Sequence, residues 1–153
     1  MTTRAISYLK RNDVDFKAIK YDHLEKGAEF AARATEFPLE RTIKTLVVEV
    51  GKKKYCLALL PGDRQLDLKK LAHVFSTKRA SMADAVSAER LTGYRVGGIS
   101  PFGTRQPVPI IMEKTILKYS DIQINAGQRG LMLKMNPQDI VKSTSCQVAE
   151  ILR

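Results

Sequence analysis

Apolar side chains recur along this chain at two periods, and they divide it into short segments. Ala5, Ile6 and Leu9 share one side of a helix that Thr2 or Thr3 can cap and Asn12-Asp13 ends. Phe16 to Tyr21 reads as a short strand, and the alanine-rich "KGAEFAARATEF" as a helix stopped near Pro38. "TIKTLVVEV" is β-branched and apolar on both faces, the pattern of a strand with neighbours on either side. The turn "GKKK" leads into "KYCLALLPG", and the two runs form a predicted hairpin. Asp67 can cap "LKKLAHVF", "KRASMA" reads as a short strand, and Asp84 can cap "AVSAERLT" with Gly93 just past its end. "VPIIME" is a further strand and "KTILKYS" a short helix or turn. "DIQINAG" and "GLMLKM" pair around "AGQRG", Asn136 and Pro137 open the helix "PQDIVKS", and "CQVAEIL" closes as a strand.

About seven or eight strands are thus mixed with about four or five helices. The helices do not alternate regularly with the strands, and adjacent hairpins imply antiparallel pairing. An α+β fold with a mixed sheet follows, rather than a doubly wound one. With 153 residues and no repeat, low-complexity tract or Pro/Ser linker, the expectation is one domain over residues 1–153. A chain of this length buries roughly 70% of its unfolded surface and needs no covalent staple.

Charge changes the picture more than composition does. At 44% hydrophobic and 27% charged residues the chain is ordinary, but 26 Lys and Arg against 16 Asp and Glu leave it at +10. That balance favours a polyanionic partner, such as nucleic acid, a phosphorylated ligand or an anionic surface. The longest apolar runs fall far short of the ~18 residues that span a bilayer. The N-terminus lacks the long apolar stretch of a secretory leader. Cys56 and Cys146 are the only cysteines, so a reducing, cytoplasmic setting is expected and a disulfide framework is not.

Familiar catalytic signatures are missing. His23, His73 and the two cysteines have no zinc-site spacing, and no P-loop, dinucleotide fingerprint or nucleophile elbow is present. What stands out is "TGYRVGGISPFG", too rich in glycine for a helix and too poor in apolar residues for a core strand. It is a turn between strands, or a loop whose backbone approaches a ligand and offers N–H donors at Gly97 and Gly98. "NAGQRG" repeats the theme with Arg129 between glycines. Lys44, in an otherwise apolar strand, must reach the sheet edge, pair, or point into a cavity. Two glycine loops and this lysine can meet on one anionic ligand.

In these segments the chain resembles the YbaK/EbsC family of aminoacyl-tRNA deacylases, related to the editing domain of bacterial prolyl-tRNA synthetases. The resemblance is carried in register by "KTLVV" (44–48), "GDRQLDLKKLA" (62–72), "TGYRVGGISPFG" (92–103) and "AGQRGLML" (126–133). It implies a single-domain six- or seven-stranded mixed, mostly antiparallel sheet or partial barrel flanked by helices. It also implies hydrolytic release of a mischarged amino acid from tRNA in trans, most simply Cys from tRNA(Pro), without metal or nucleotide cofactor. tRNA is the implied partner, with prolyl-tRNA synthetase a candidate second one. Carried over by residue, the resemblance places the essential lysine at Lys44 with Thr45 beside it, and pocket aromatics at Tyr21 and Phe30. The glycine pair falls on Gly97 and Gly98, followed by Ser100 and Pro101, and the second loop on Asn125, Gly127 and Arg129. Asn125 stands where a serine is common, and Met132 where an acidic residue can occur. The competing readings are a non-catalytic aminoacyl-tRNA-binding module and a small-molecule ester hydrolase. Candidate stem contacts are Lys52 to Lys54, Lys69, Lys70, Lys78, Arg79 and Arg105.

Overall fold

The computed structural model describes residues 2–153. In chain order its elements are α1 (Arg4–Arg11), β1 (Lys17–Lys20), α2 (Ala28–Thr35), β2 (Thr42–Val50), β3 (Tyr55–Pro61), α3 (Leu68–Val74), β4 (Ala80–Met82), α4 (Ala85–Thr92), β5 (Ile110–Glu113), β6 (Ile122–Asn125), β7 (Leu131–Met135), α5 (Pro137–Thr144) and β8 (Gln147–Ala149). Short 3-10 turns cover Leu39–Arg41 and Lys114–Lys118.

All the helices but α2, which starts after Gly27 without a side-chain cap, begin where a side-chain oxygen accepts the first free amides. Thr3 Oγ1 accepts from Ile6 N at 3.1 Å, Asp67 Oδ1 from Lys69 N and Lys70 N, Asp84 Oδ1 from Ser87 N, and Asn136 Oδ1 from Gln138 N. Each such cap is typically worth ~1 kcal/mol. The helix α2 ends earlier than Pro38 requires, at Glu36, which adopts a left-handed φ of 54°.

One mixed sheet of eight strands results, in the order β1-β7-β6-β2-β3-β5-β8, with β4 also on β2. Two of its strands, β4 and β8, have only three residues each, so the sheet exceeds the expected six or seven strands by short additions at its margins. The hairpins β2–β3 and β6–β7 are antiparallel, as are β1–β7 and β2–β4. The pairs β2–β6, β3–β5 and β5–β8 are parallel.

The central strands are buried on both faces. Along β3, Leu57 and Leu59 enter one apolar cluster with Ala5, Ile6 and Leu9 of α1 and Ala88 and Leu91 of α4. Between them Cys56, Ala58 and Leu60 enter a second cluster with Leu71 and Ala72 of α3 and with Ile151. The chain end is pinned by buried Glu113, whose carboxylate accepts from Ile151 N at 3.0 Å and Thr115 N at 2.8 Å. Burial alone would raise the Glu113 pKa, but these amides outweigh it and hold the carboxyl below its usual value.

Candidate functional site

The site begins where strand pairing stops. Strand β2 carries β3 along one edge from Ile43 to Glu49. Its other edge is shared: β6 pairs only with Thr42 and Ile43, and β4 takes over at Val48–Val50. Between them Lys44, Thr45 and Leu46 face a cavity of about 270 Å³. The parallel strands β2 and β6 diverge just after Ile43 and Ile124, so Asn125, the next residue of β6, also reaches the wall. The opening thus lies past the carboxyl end of β6 and along the first half of β2.

Helix α2 covers the break, and Gln123 ties it down. Gln123 Nε2 donates to Thr35 Oγ1 at 2.9 Å and to Thr42 Oγ1 at 3.0 Å. Both hydroxyls donate their own protons to backbone, at Ala31 O and Pro38 O. The fully buried Gln123 therefore joins β6, β2 and α2 at one point. On the cavity side α2 contributes Ala28 and Ala31, and β7 contributes Met132. Tyr21 closes another wall, its ring 6.3 Å from that of Phe30. Phe30 thus acts on the cavity through Tyr21 rather than as wall. Burial raises the Tyr21 pKa, with the Gly130 backbone pulling the other way.

Lys44 is half-buried. Burial lowers its pKa, and the charges of Asp63 and Glu29 partly restore it. No acidic side chain lines the cavity itself, which has Lys26 as a second cation. The Thr45 hydroxyl is buried and has no hydrogen-bond partner among the described residues. It is an unsatisfied polar atom sealed just behind the cavity wall, an uncommon cost for a buried hydroxyl.

The glycine-rich loop supplies Val96, Gly97 and Ile99 to the wall. Gly97 N–H has no hydrogen-bond acceptor among the described residues, whereas Gly98 N–H donates to Arg95 O at 2.9 Å. The paired-donor expectation is corrected accordingly, since only the Gly97 amide is unspent. Gly98 serves another purpose. A Cβ there would lie 2.9 Å from Arg129 N and from Gln128 C, so its missing side chain lets the two glycine loops touch. Arg129 locks that contact, with Nε and Nη2 both donating to Val96 O at 2.9 and 2.6 Å.

Lys44, Thr45, Tyr21, Gly97 and Asn125 therefore share one cavity. Gly98, Gly127 and Arg129 lie beside it, lining a shallower depression. Ser100 is fully buried, its Oγ accepting from Phe102 N, and Pro101 faces a different concavity. Both were expected at the ligand; neither lines the Lys44 cavity, and Ser100 braces the loop from within. Sequence reasoning missed Lys26, Ala28, Ala31, Leu46 and Ile99. Ala28 and Ala31 share one face of α2 at i, i+3 spacing, a signal the sequence did carry, but no spacing along the chain joins that face to Lys26, Leu46 and Ile99.

Fold and site together define an α+β pocket protein, its cavity set in a break of a mixed sheet and sized for one small group beside a lysine. The aminoacyl-tRNA editing domain model matches residues 24–143, and the chain belongs to that family. It is 34% identical over 153 residues to an Enterococcus faecalis protein provisionally named a Cys-tRNA(Pro)/Cys-tRNA(Cys) deacylase, EbsC, covering 97% of this chain and 92% of that one. It is 25% identical over 154 residues to the Escherichia coli K12 multifunctional Ser/Thr-tRNA deacylase ProXp-y, covering 98% and 92%. A crystal structure described provisionally as a trans-editing enzyme for prolyl tRNA synthetase superposes with a TM-score of 0.89 at 25% identity, covering 98% of this chain and 95% of that one.

Proposed function

We propose that the protein is a trans-acting aminoacyl-tRNA deacylase that releases a small, wrongly attached amino acid, with Cys-tRNA(Pro) as its principal substrate. The observation carrying this reading is the break in β2, which gathers a half-buried lysine, an orphaned hydroxyl and an unspent glycine amide around one small cavity. At about 270 Å³ the cavity lies below the usual ~300–1,000 Å³ of ligand pockets, which favours a single amino-acid group over a nucleotide.

An aminoacyl ester is already activated, so the protein's task is positioning and charge stabilisation. The Gly97 amide donates to the oxyanion forming at the ester carbonyl, a contribution of typically ~2.7–4 kcal/mol per donor. Lys44 holds the negative charge of the terminal phosphate or of the reacting ester. With a cysteinyl ester, the substrate's own sulfur attacks the carbonyl carbon and the bond to the ribose oxygen breaks. That oxygen takes the thiol proton, leaving a cyclic thioester. With other amino acids a water oxygen attacks the same carbon. The apolar wall of Ala28, Ala31 and Met132 takes the side chain.

The test is a panel of tRNA(Pro) charged with Cys, Ala, Ser, Thr or Pro, and tRNA(Cys) charged with Cys. Release from Cys-tRNA(Pro) with Pro-tRNA(Pro) spared is expected. Lys44→Ala should slow single-turnover release on the order of 10²–10³-fold, as removal of a transition-state charge contact does, with its melting curve intact. Near-normal release by this variant would remove Lys44 from the mechanism, and binding without any release would make the protein an adaptor.

A further inference from the structure

Further along the glycine-rich loop, α1 and the stretch from Pro101 to Val108 enclose a broad concavity of about 840 Å³. Arg4, Arg11 and Arg105 line it together with hydroxyl side chains, and no carboxylate does. All three arginines are exposed. Among the described residues none of them is ion-paired; the two ion pairs present both use Asp121.

A cationic path joins this concavity to the ester cavity. Gly97 walls the cavity, and its neighbour Gly98 lines the depression that holds Arg95, Arg129, Gly93 and Tyr94. From there Arg4 lies over the Tyr94 ring, 5.9 Å from its centroid. Arg105 packs against the bare face of Gly93, where a Cβ would lie 3.3 Å from its own. No acidic side chain lines any of the three hollows. Glu89, which touches the path, accepts the Val96 amide at 2.8 Å. The path is also held in place, because Thr3 Oγ1 donates to Ala126 O at 2.6 Å and so fixes the start of α1 against the second glycine loop.

We propose that this path is the phosphate track of the tRNA acceptor stem, with Arg4, Arg11 and Arg105 gripping the backbone while the 3′ end enters the cavity. The proposal rests on the deacylase reading and gives its substrate a direction across the protein. Unpaired guanidiniums in a concave, acid-free wall suit the bidentate geometry of phosphate oxygens. The lysine-bearing turn Lys52–Lys54 carries equal charge but stands beyond the far end of β2. At ~3.3 Å per residue it is about 20 Å or more from Lys44 along the strand. Of the cations expected from sequence to meet the stem, only Arg105 lies on the track.

The experiment compares two triple variants that remove the same charge, Arg4→Gln/Arg11→Gln/Arg105→Gln and Lys52→Gln/Lys53→Gln/Lys54→Gln, on Cys-tRNA(Pro) across a salt series. The arginine variant should raise KM at least ~10-fold with kcat kept within about twofold. Its log–log salt slope should fall by roughly 2–3, at ~0.9 per lost duplex phosphate contact. The lysine variant should keep both. Because Arg4 packs on Tyr94, the double variant Arg11→Gln/Arg105→Gln repeats the measurement should the triple melt early, with a slope change of about 2 expected. Equal effects of the arginine and lysine variants, or an unchanged slope in the arginine variants while wild type is active, would overturn the track alone. Wild-type protein inert on every aminoacyl-tRNA would instead overturn the deacylase reading.

Discussion

Lys44 is a cation placed where cations are disfavoured. Burial lowers its pKa, with Asp63 and Glu29 opposing, so it loses its proton below the ordinary lysine value of ~10.4. The folded state therefore carries the cost of a partly desolvated charge at neutral pH, and that cost fades as pH rises through the folded pKa. Activity should move the opposite way. With spontaneous ester hydrolysis subtracted, kcat/KM is expected to fall on an alkaline limb centred below ~10.4, and the residual activity of Lys44→Arg should lack that limb, since arginine stays charged. A wild-type profile flat to pH 10.5 would show that the charge of Lys44 is not used. At this scale the sequence was readable where a residue contradicts its surroundings, as Lys44 does in an apolar strand. It was unreadable where two states look alike: Gly97 and Gly98 are the same letter, yet only one amide is unspent.

Among elements, the contact between the two glycine loops sets the shape of the cavity rim. Gly98→Ala would drive a methyl group into the Gln128–Arg129 backbone. Overpacking of this kind costs ~1–3 kcal/mol, which at roughly 2–4 °C per kcal/mol for a chain near this size should lower Tm by about 2–12 °C. Deacylation should weaken as well, because Val96 moves with the loop that Arg129 clamps. A variant with wild-type Tm and activity would show that the loops do not depend on each other. The elements themselves were largely legible. Caps at Thr3, Asp67, Asp84 and Asn136 announced their helices, and both hairpins followed from their turns. The parallel pairs β2–β6 and β3–β5 were not, since their partners lie far apart in the chain and no local pattern encodes which distant strand comes alongside. The cavity sits where one of those parallel pairs ends, so its walls were hidden with it.

At the scale of the molecule, the sheet separates two apolar clusters; the cavity residue Ile43 belongs to the one packed on α1 and α4, and only the half-buried Leu46 of the cavity wall packs against the other. Leu71 is fully buried in the other. Leu71→Ala should cost ~2–5 kcal/mol, as buried leucine truncations do, yet leave kcat/KM within about twofold below the melting range. A large activity loss in still-folded protein would mean that the faces are coupled through β2 and β3. The charge of +10 favours a polyanionic partner but cannot say where one would lie, because position on a surface is a property of the fold.

The break on the edge of β2 has one more consequence. Its length is set by two neighbouring strands, one leaving at Ile43 and one arriving at Val48, so the opening has a fixed frame and an exchangeable lining. Ala31 and Met132 line the space without belonging to β2, so replacing either changes the lining and not the pairing of β2 that frames it. If the proposed deacylase reading holds, such a scaffold could change its choice of amino acid one lining residue at a time, with Lys44 and Gly97 left in place.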